Sequence, residues 1–356
     1  MGELDWDLLS SYAGILTLAC GSVYAGSFGS LPVRFPADKE EDVTEAEEDV
    51  TERMSSNDAW LFPVFGSFVL FGFYLVIKYL GKEWINWFLG WYFSVAGVAS
   101  VWKSLTSLTR YILGEKFWKS FDEMNFVVKK GSTTLASVSW RTPSFLLLPL
   151  AVIPSALSSF SKTYGKSALI TDIIGLSFAH NAISLLKIDS FTTGAILLTG
   201  LFFYDIWWVF GTEVMVKVAT TLDVPIKLLW PKSLIFSGQR GYTMLGLGDI
   251  VIPGTLIAFA LRYDRHRALQ SKMPRQGSFS KPYFYATLTA YFLGLVTTMT
   301  VMHNFKTAQP ALLYLSPAGI LSFFVTAAIR GELREALRWS DVPEVAPSQI
   351  SAKKVN

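Results

Sequence analysis

The chain has 356 residues, of which 51% are hydrophobic, 15% aromatic and only 17% charged, with a net charge of +3. Soluble domains carry roughly 25% charged residues, so the two or three soluble domains that the length alone would allow are excluded, and the small net charge gives no footing for nucleic-acid binding. A single cysteine, Cys20, excludes an internal disulfide and reads as a small packed residue in an apolar run.

The chain starts with acidic residues (Glu3, Asp5, Asp7), whereas a cleavable signal peptide starts basic, so the first apolar run, 8–29, is expected to be retained as a span. Residues 38–52 (DKEEDVTEAEEDVTE) read as a solvated acidic loop. Spans are expected next at 59–77 and 84–102. The segment 103–143 mixes cations with aromatics and reads as an amphipathic helix or a short hairpin at the membrane surface. Further spans fall at 144–160 (the weakest, with Pro149 and Pro154), 167–186, 191–210, 242–261, 283–302 and 310–329. The expected fold is therefore all-α, a polytopic bundle of about nine transmembrane helices. Trp60, Trp84, Trp102 and Trp230, near span ends, read as interface anchors. The loop 211–241 alternates apolar and polar residues and is expected to lie on the membrane, where a substrate could dock by strand pairing.

An odd number of spans puts the termini on opposite sides. With the N-terminus outside, more than two thirds of the 31 Lys and Arg fall in cytosolic segments, so the positive-inside rule makes the N-terminus non-cytosolic and the tail cytosolic. No Asn-x-Ser/Thr sequon marks a glycosylated loop.

Two carboxylates lie inside spans: Asp205 within 191–210 and Asp249 within 242–261. Each costs on the order of 3 kcal/mol at the centre of a spanning helix, and an intramembrane carboxylate is by default a functional residue. Asp205 is about five residues from the outer end of its span and Asp249 about seven, so at about 1.5 Å per residue they share a depth to within roughly 3 Å. Neighbouring antiparallel helices would bring them face to face. Two such carboxyls cannot both ionise cheaply, so the pair shares a proton at neutral pH. One base and one acid in contact can activate a water and polarise a peptide carbonyl, the arrangement of an aspartic protease. Gly246 and Gly248 remove side chains on the approach to Asp249. His180 could serve as a proton partner, but with Asn181 it reads as a helix-packing hydrogen-bonding residue; Asp172 reads as interfacial. No cluster has metal-ligand spacing, so neither metal nor other cofactor is expected.

Tyr204-Asp205, then Gly246-Leu247-Gly248-Asp249, then Gln309-Pro310-Ala311-Leu312 occur in that order, each on a late span. This resembles the GxGD intramembrane aspartyl proteases, the superfamily of presenilins and signal peptide peptidases; the strings FFYDIWWVFGTEVMV, LGLGDIVIPG and QPALLYL look specifically like signal peptide peptidase. The resemblance is strong from Ile173 to Glu332 and weak to absent over the first 140 residues. It implies a presenilin-like fold with catalytic Asp205 and Asp249. Tyr204 would precede the first Asp, Gly246, Leu247 and Gly248 would support the second, and Gln309, Pro310, Ala311 and Leu312 would help hold substrate. Without the resemblance, Pro310 would read as a pre-set first helical turn. The implied layout is membrane helices with the acidic loop and juxtamembrane segment (1–140), a catalytic core (141–330) and a cytosolic tail (331–356). The implied topology, with a lumenal N-terminus, agrees with the cation count. Implied substrates are signal-peptide remnants and type II or tail-anchored membrane segments within the lipid bilayer; homo-oligomers and degradation-machinery partners stay open. Lys353-Lys354 near the end of the chain resembles a dilysine signal for retrieval to the endoplasmic reticulum. Relatives with a large lumenal domain ahead of the spans do not fit, since only seven residues precede the first. The alternatives are a transporter or ion channel using the two Asp as carriers, for which paired broken helices in inverted repeats would be expected and none is seen, and a non-catalytic adaptor for membrane-protein degradation.

Overall fold

The computed structural model describes residues 6–31, 53–118, 120–130, 133–160, 167–222, 224–233, 241–270, 279–305 and 309–341. The acidic block 38–52 and Lys353-Lys354 lie outside the described residues. Helices α1 (Trp6–Gly29), α2 (Ser56–Tyr79) and α3 (Lys82–Leu113) come first, then a short α4 (Glu115–Trp118) and an antiparallel hairpin of β1 (Glu123–Lys130) and β2 (Thr133–Arg141). Helices α5 (Thr142–Phe160), α6 (Ala168–Leu185) and α7 (Phe191–Phe210) lead to a short α8 (Val214–Thr221) and a second antiparallel hairpin, β3 (Lys227–Pro231) with β4 (Tyr242–Gly246). Then follow α9 (Gly248–Gln270), α10 (Pro282–Phe305), α11 (Leu312–Ile329) and a short α12 (Leu333–Arg338).

All but one of the expected spans coincide with a long helix. Among the described residues, 6 helices (α1, α2, α6, α7, α10 and α11) are long and apolar enough to cross a membrane by length and composition. Charges dilute α9 from Arg262 to Arg267, while in α3 the charge-free stretch 84–102 is thinned by Asn86, Tyr92 and Trp84, Trp87, Trp91 and Trp102. Local chemistry sets the helix starts. Ser55 and Asp58 form a capping box ahead of α2, and Ser190 accepts the N–H of Thr193 at the start of α7, each satisfying amide groups that the first helical turn leaves unpaired.

The expected span 242–261 needs correction. Tyr242–Gly246 is a strand, and the helix starts at Gly248 and continues to Gln270. Burial in this strand alternates, with Thr243 and Leu245 inside and Tyr242 and Met244 outside. That is a period of two, which a summed hydropathy window does not separate from a helix. In the 103–143 segment, α3 runs on to Leu113 and the rest folds mainly as the β1–β2 hairpin, whose register shifts between Val128 and Lys129.

Helix α9 is the axis of the bundle. Its residues are apolar or small on every face from Ile250 to Leu261, and it is buried without a break from Ile252 to Asp264. A helix apolar all round must be enclosed, and α1, α6, α7, α10 and α11 enclose it. The enclosure is close: a Cβ on Gly254 would stand 2.7 Å from Cδ1 of Ile183 on α6, the small-residue contact by which membrane helices approach each other.

Buried charge locks the far end of α9. Arg262 is 4% exposed; its guanidinium donates to Asp341 Oδ2 (2.7 Å), Ser30 Oγ (3.3 Å) and the Ile188 carbonyl (3.2 Å). Asp264 accepts the Tyr283 and Phe284 amides (3.4 and 2.9 Å) and so caps the start of α10. Arg267 pairs with Glu332, which also accepts the Tyr283 hydroxyl at 3.0 Å.

Removing one partner of a buried ion pair strands the other, at about 3 kcal/mol or more. Asp341→Ala is therefore expected to lower the thermal unfolding midpoint in detergent by about 5–10 °C. Arg53→Ala, losing only a longer 3.4 Å contact to Asp341, should move it far less; equal shifts would contradict the assignment.

Candidate active site

The site lies where the β3–β4 hairpin turns into α9. Leu247 fixes the junction: its N–H donates to the Ile226 carbonyl (3.0 Å), continuing the hairpin ladder, and its carbonyl accepts the amides of Ile250 (3.1 Å) and Val251 (2.8 Å), opening the helix. Asp249 therefore stands in the first turn of α9, with strand rather than helix on its outer side. The helix that carries Asp249 thus begins six residues later than expected, with a strand ahead of it.

Asp205, on α7, is 4% exposed, and its Oδ2 accepts the N–H of Leu312 at 3.2 Å. Asp249 is half-buried and close enough to Asp205 for the two charges to interact. Its main-chain carbonyl accepts the hydroxyl of Tyr291, a fully enclosed residue of α10, at 3.2 Å. Three helices thus converge on the pair: α7 and α9 bring the carboxyls, and the start of α11 brings an amide donor.

The glycines before Asp249 do different things. A Cβ on Gly246 would lie 3.2 Å from Oδ2 of Asp249, so the bare backbone there makes room for the carboxyl itself. At Gly248 a Cβ would meet nothing within 4 Å, and the residue is exposed. The open ground beside the carboxyl is at Gly248.

Of the Gln309–Leu312 segment, Pro310, Ala311 and Leu312 are buried; Ala311 occupies the N-cap of α11, and Pro310 stands just ahead of it with its carbonyl accepting the Leu313 amide at 3.2 Å. Leu312 reaches Asp205 directly, while Gln309 stands farther back in the same segment. The Tyr204 ring packs near Gly66 of α2 and 6.3 Å from the Trp208 ring, whose indole N–H donates to Ser67. Tyr204 is thus set against α2.

Residues read in passing sort clearly. Asn181 donates to the Ser100 carbonyl and hydroxyl (2.8 Å each), so it packs α6 on α3 as expected. His180 faces a cavity of about 640 Å³ between α1, α3 and α6 that includes neither Asp205 nor Asp249. Asp172 is buried within the protein, and its Oδ1 accepts the Leu229 amide of β3 at 2.7 Å. Tyr291 escaped the sequence reading altogether, though a Tyr deep in a span needs a partner for its hydroxyl. Among the described residues no group of three or more His, Cys, Asp or Glu could hold a metal ion.

Two carboxyls near enough for their charges to interact, one buried against an amide donor and one beside open ground, suit general acid–base chemistry on a group lying along Gly248. Residues 46–342 match the family model described as signal peptide peptidase. The chain is 34% identical to the signal peptide peptidase of Homo sapiens, over 86% of this chain and 79% of that one. It is also 34% identical to the signal peptide peptidase of Mus musculus, over 97% and 86% respectively. A probable intramembrane protease of Schizosaccharomyces pombe is 39% identical over 81% of this chain and 85% of its own.

Tyr291→Phe removes one hydroxyl and leaves the buried Asp249 carbonyl without that donor, a loss of about 1–3 kcal/mol. The expected outcome is a thermal midpoint lower by a few degrees in detergent; an unchanged midpoint would show that this hydrogen bond does not hold α10 to the start of α9.

Proposed function

Because the chain belongs to the signal peptide peptidase family and is a multi-pass intramembrane aspartic endopeptidase, we propose that Asp205 and Asp249 are the catalytic pair that cuts peptide bonds within the membrane. The observation that supports this most is that the two carboxyls lie near enough for their charges to act on each other, with Oδ2 of Asp205 held by the Leu312 amide. One carboxyl is ionised and takes a proton from water, which attacks the scissile carbonyl. The other, protonated, polarises that carbonyl, and a proton then passes to the leaving nitrogen. The Leu312 amide fixes the rotation of the Asp205 carboxyl. Gly246 leaves room for Asp249, and Gly248 leaves room for the substrate backbone. Pro310 and Ala311 place the Leu312 amide, and Tyr204 and Gln309 complete the surround. This gives 141–330 the catalytic role and residues 1–140 a role in enclosing it.

A helical substrate shields its own carbonyls and must unwind before it is cut. The extended form has a docking place: β4 is an edge strand leading straight into Gly246–Asp249. A substrate segment pairing with β4 would carry its backbone past the carboxyl pair. The substrates we infer are signal-peptide remnants and type II or tail-anchored segments, supported by the names of the human and mouse relatives and by a cation bias that puts the N-terminus in the lumen and the tail in the cytosol. Lys353-Lys354 supports residence in the endoplasmic reticulum. Self-association and degradation-machinery partners fit the reading but have no residue-level support. Nothing observed favours a transporter.

The test is cleavage of a signal-peptide-like substrate by purified protein in detergent, with Asp205→Asn and Asp249→Asn beside wild type. Each variant should lose at least about 10³-fold in rate, given the roughly 10²–10⁴-fold that general acid–base catalysis supplies, while keeping its thermal midpoint. Wild-type cleavage by either variant would sink the assignment.

A further inference from the structure

Asp172 is a third carboxylate within a spanning helix, and the catalytic pair does not use it. It is 8% exposed and lies near the start of α6, under the β3–β4 hairpin, with its Oδ1 2.7 Å from the Leu229 amide nitrogen. Placing a carboxylate there is costly, so what it holds matters.

The hairpin ladder shows which edge it holds. At one end Leu247 N–H donates to Ile226 O, and at the other Lys232 N–H donates to Gly241 O, both at 3.0 Å. Hydrogen-bonded and non-hydrogen-bonded pairs alternate along an antiparallel ladder. Counting inward, the bonded pairs are Leu228 with Leu245 and Trp230 with Thr243; Lys227–Gly246, Leu229–Met244 and Pro231–Tyr242 turn their main-chain groups outward. Pro231 obeys this parity, since a proline has no amide to give and belongs at an outward position. The Leu229 N–H therefore lies on the outer edge of β3, where Asp172 takes it. The outer main-chain groups of Met244 and Gly246 belong to the opposite edge, three residues short of Asp249.

The same face of α6 supports the junction. A Cβ on Gly175, one turn after Asp172, would meet Leu228 at 3.4 Å and Leu247 at 3.6 Å. Apolar packing of this kind specifies a strand's position only loosely, and a slip of one residue would exchange the two faces of the hairpin. The Asp172–Leu229 bond pins it.

We propose that Asp172 is a positioning residue: by holding the Leu229 amide it closes the β3 edge, sets the hairpin's register against Asp249 and thereby determines which substrate bond is cut. The proposal rests on the strand-pairing reading above and deepens it.

The experiment uses the full chain in detergent with a signal-peptide-like substrate whose products are weighed by mass spectrometry. Asp172→Asn keeps an oxygen acceptor; it should cut the wild-type bond with kcat/KM within about threefold. Asp172→Ala should raise KM about tenfold or more with little change in kcat, and spread the cuts onto neighbouring bonds. Its affinity for a small transition-state-mimicking inhibitor, which needs only the carboxyl pair, should be unchanged. Leu229→Pro deletes the same bond from the other side without touching the ladder, and decides the matter should the Ala variant fail to fold. It should reproduce the spread of cuts, and the double variant should be no worse than either single one. Wild-type KM and a single wild-type cut in Asp172→Ala or Leu229→Pro would overturn the proposal, as would Asn behaving like Ala. A substrate N-methylated along the paired segment separates the two readings. If wild type cuts it as well as its parent, strand pairing fails and this proposal with it. If wild type rejects it yet Asp172→Ala cuts normally, strand pairing stands and Asp172 is not the peg.

Discussion

A carboxyl group in a hydrocarbon layer persists only where the protein supplies its partners, and this structure is arranged around supplying them. The Leu312 amide at the start of α11 reaches Asp205 on α7, and the Leu229 amide of β3 reaches Asp172 on α6. Asp264 on α9 takes two amides from the first turn of α10. The first two bonds join elements 107 and 57 residues apart in the chain and the Asp264 bonds tie successive helices, so the groups that are hardest to bury also specify which elements meet. Hydrophobic packing alone would be less selective, since lipid tails serve an apolar helix surface about as well as another helix does.

Helix α9 carries this logic from end to end. Its first turn holds Asp249, its middle is apolar on every face, and its far end is fixed by Arg262, Asp264 and Arg267. A helix enclosed along its length and tied at one end gives the carboxyl at the other a defined place. Tyr291 of α10 adds a hydrogen bond to the Asp249 carbonyl itself. The hairpin on the outer side then offers what a helix could not: an edge strand with main-chain groups turned outward three residues before Asp249, where we propose an unwound peptide lies.

Much of this was legible in the residues. Asp205 and Asp249 stood out because intramembrane carboxylates are expensive, and the run of apolar segments marked the long helices. The strand at Tyr242–Gly246 was hidden because hydropathy sums apolar residues without regard to period, and the alternation of Thr243 and Leu245 with Tyr242 and Met244 is one of burial rather than of polarity. Asp172 was read only by its nearness to a span end, which does not reveal the strand it is buried against. The Leu312–Asp205 and Tyr291–Asp249 contacts bridge 107 and 42 residues of sequence, and no local pattern reports which turn of which helix a tertiary contact will choose. The burial of Arg262 was not legible either, because a single sequence shows a residue's type and not its enclosure.

The central claim is that Asp205 and Asp249 act as one unit, and a double-mutant cycle on cleavage rate tests it most directly. Groups that act as a unit are strongly non-additive. Asp205→Asn, Asp249→Asn and the double variant are all expected to fall to the same residual rate. Losses that multiply, with the double variant slower than either single one by the product of their separate effects, would mean two independent contributions and contradict a shared proton between the two carboxyls.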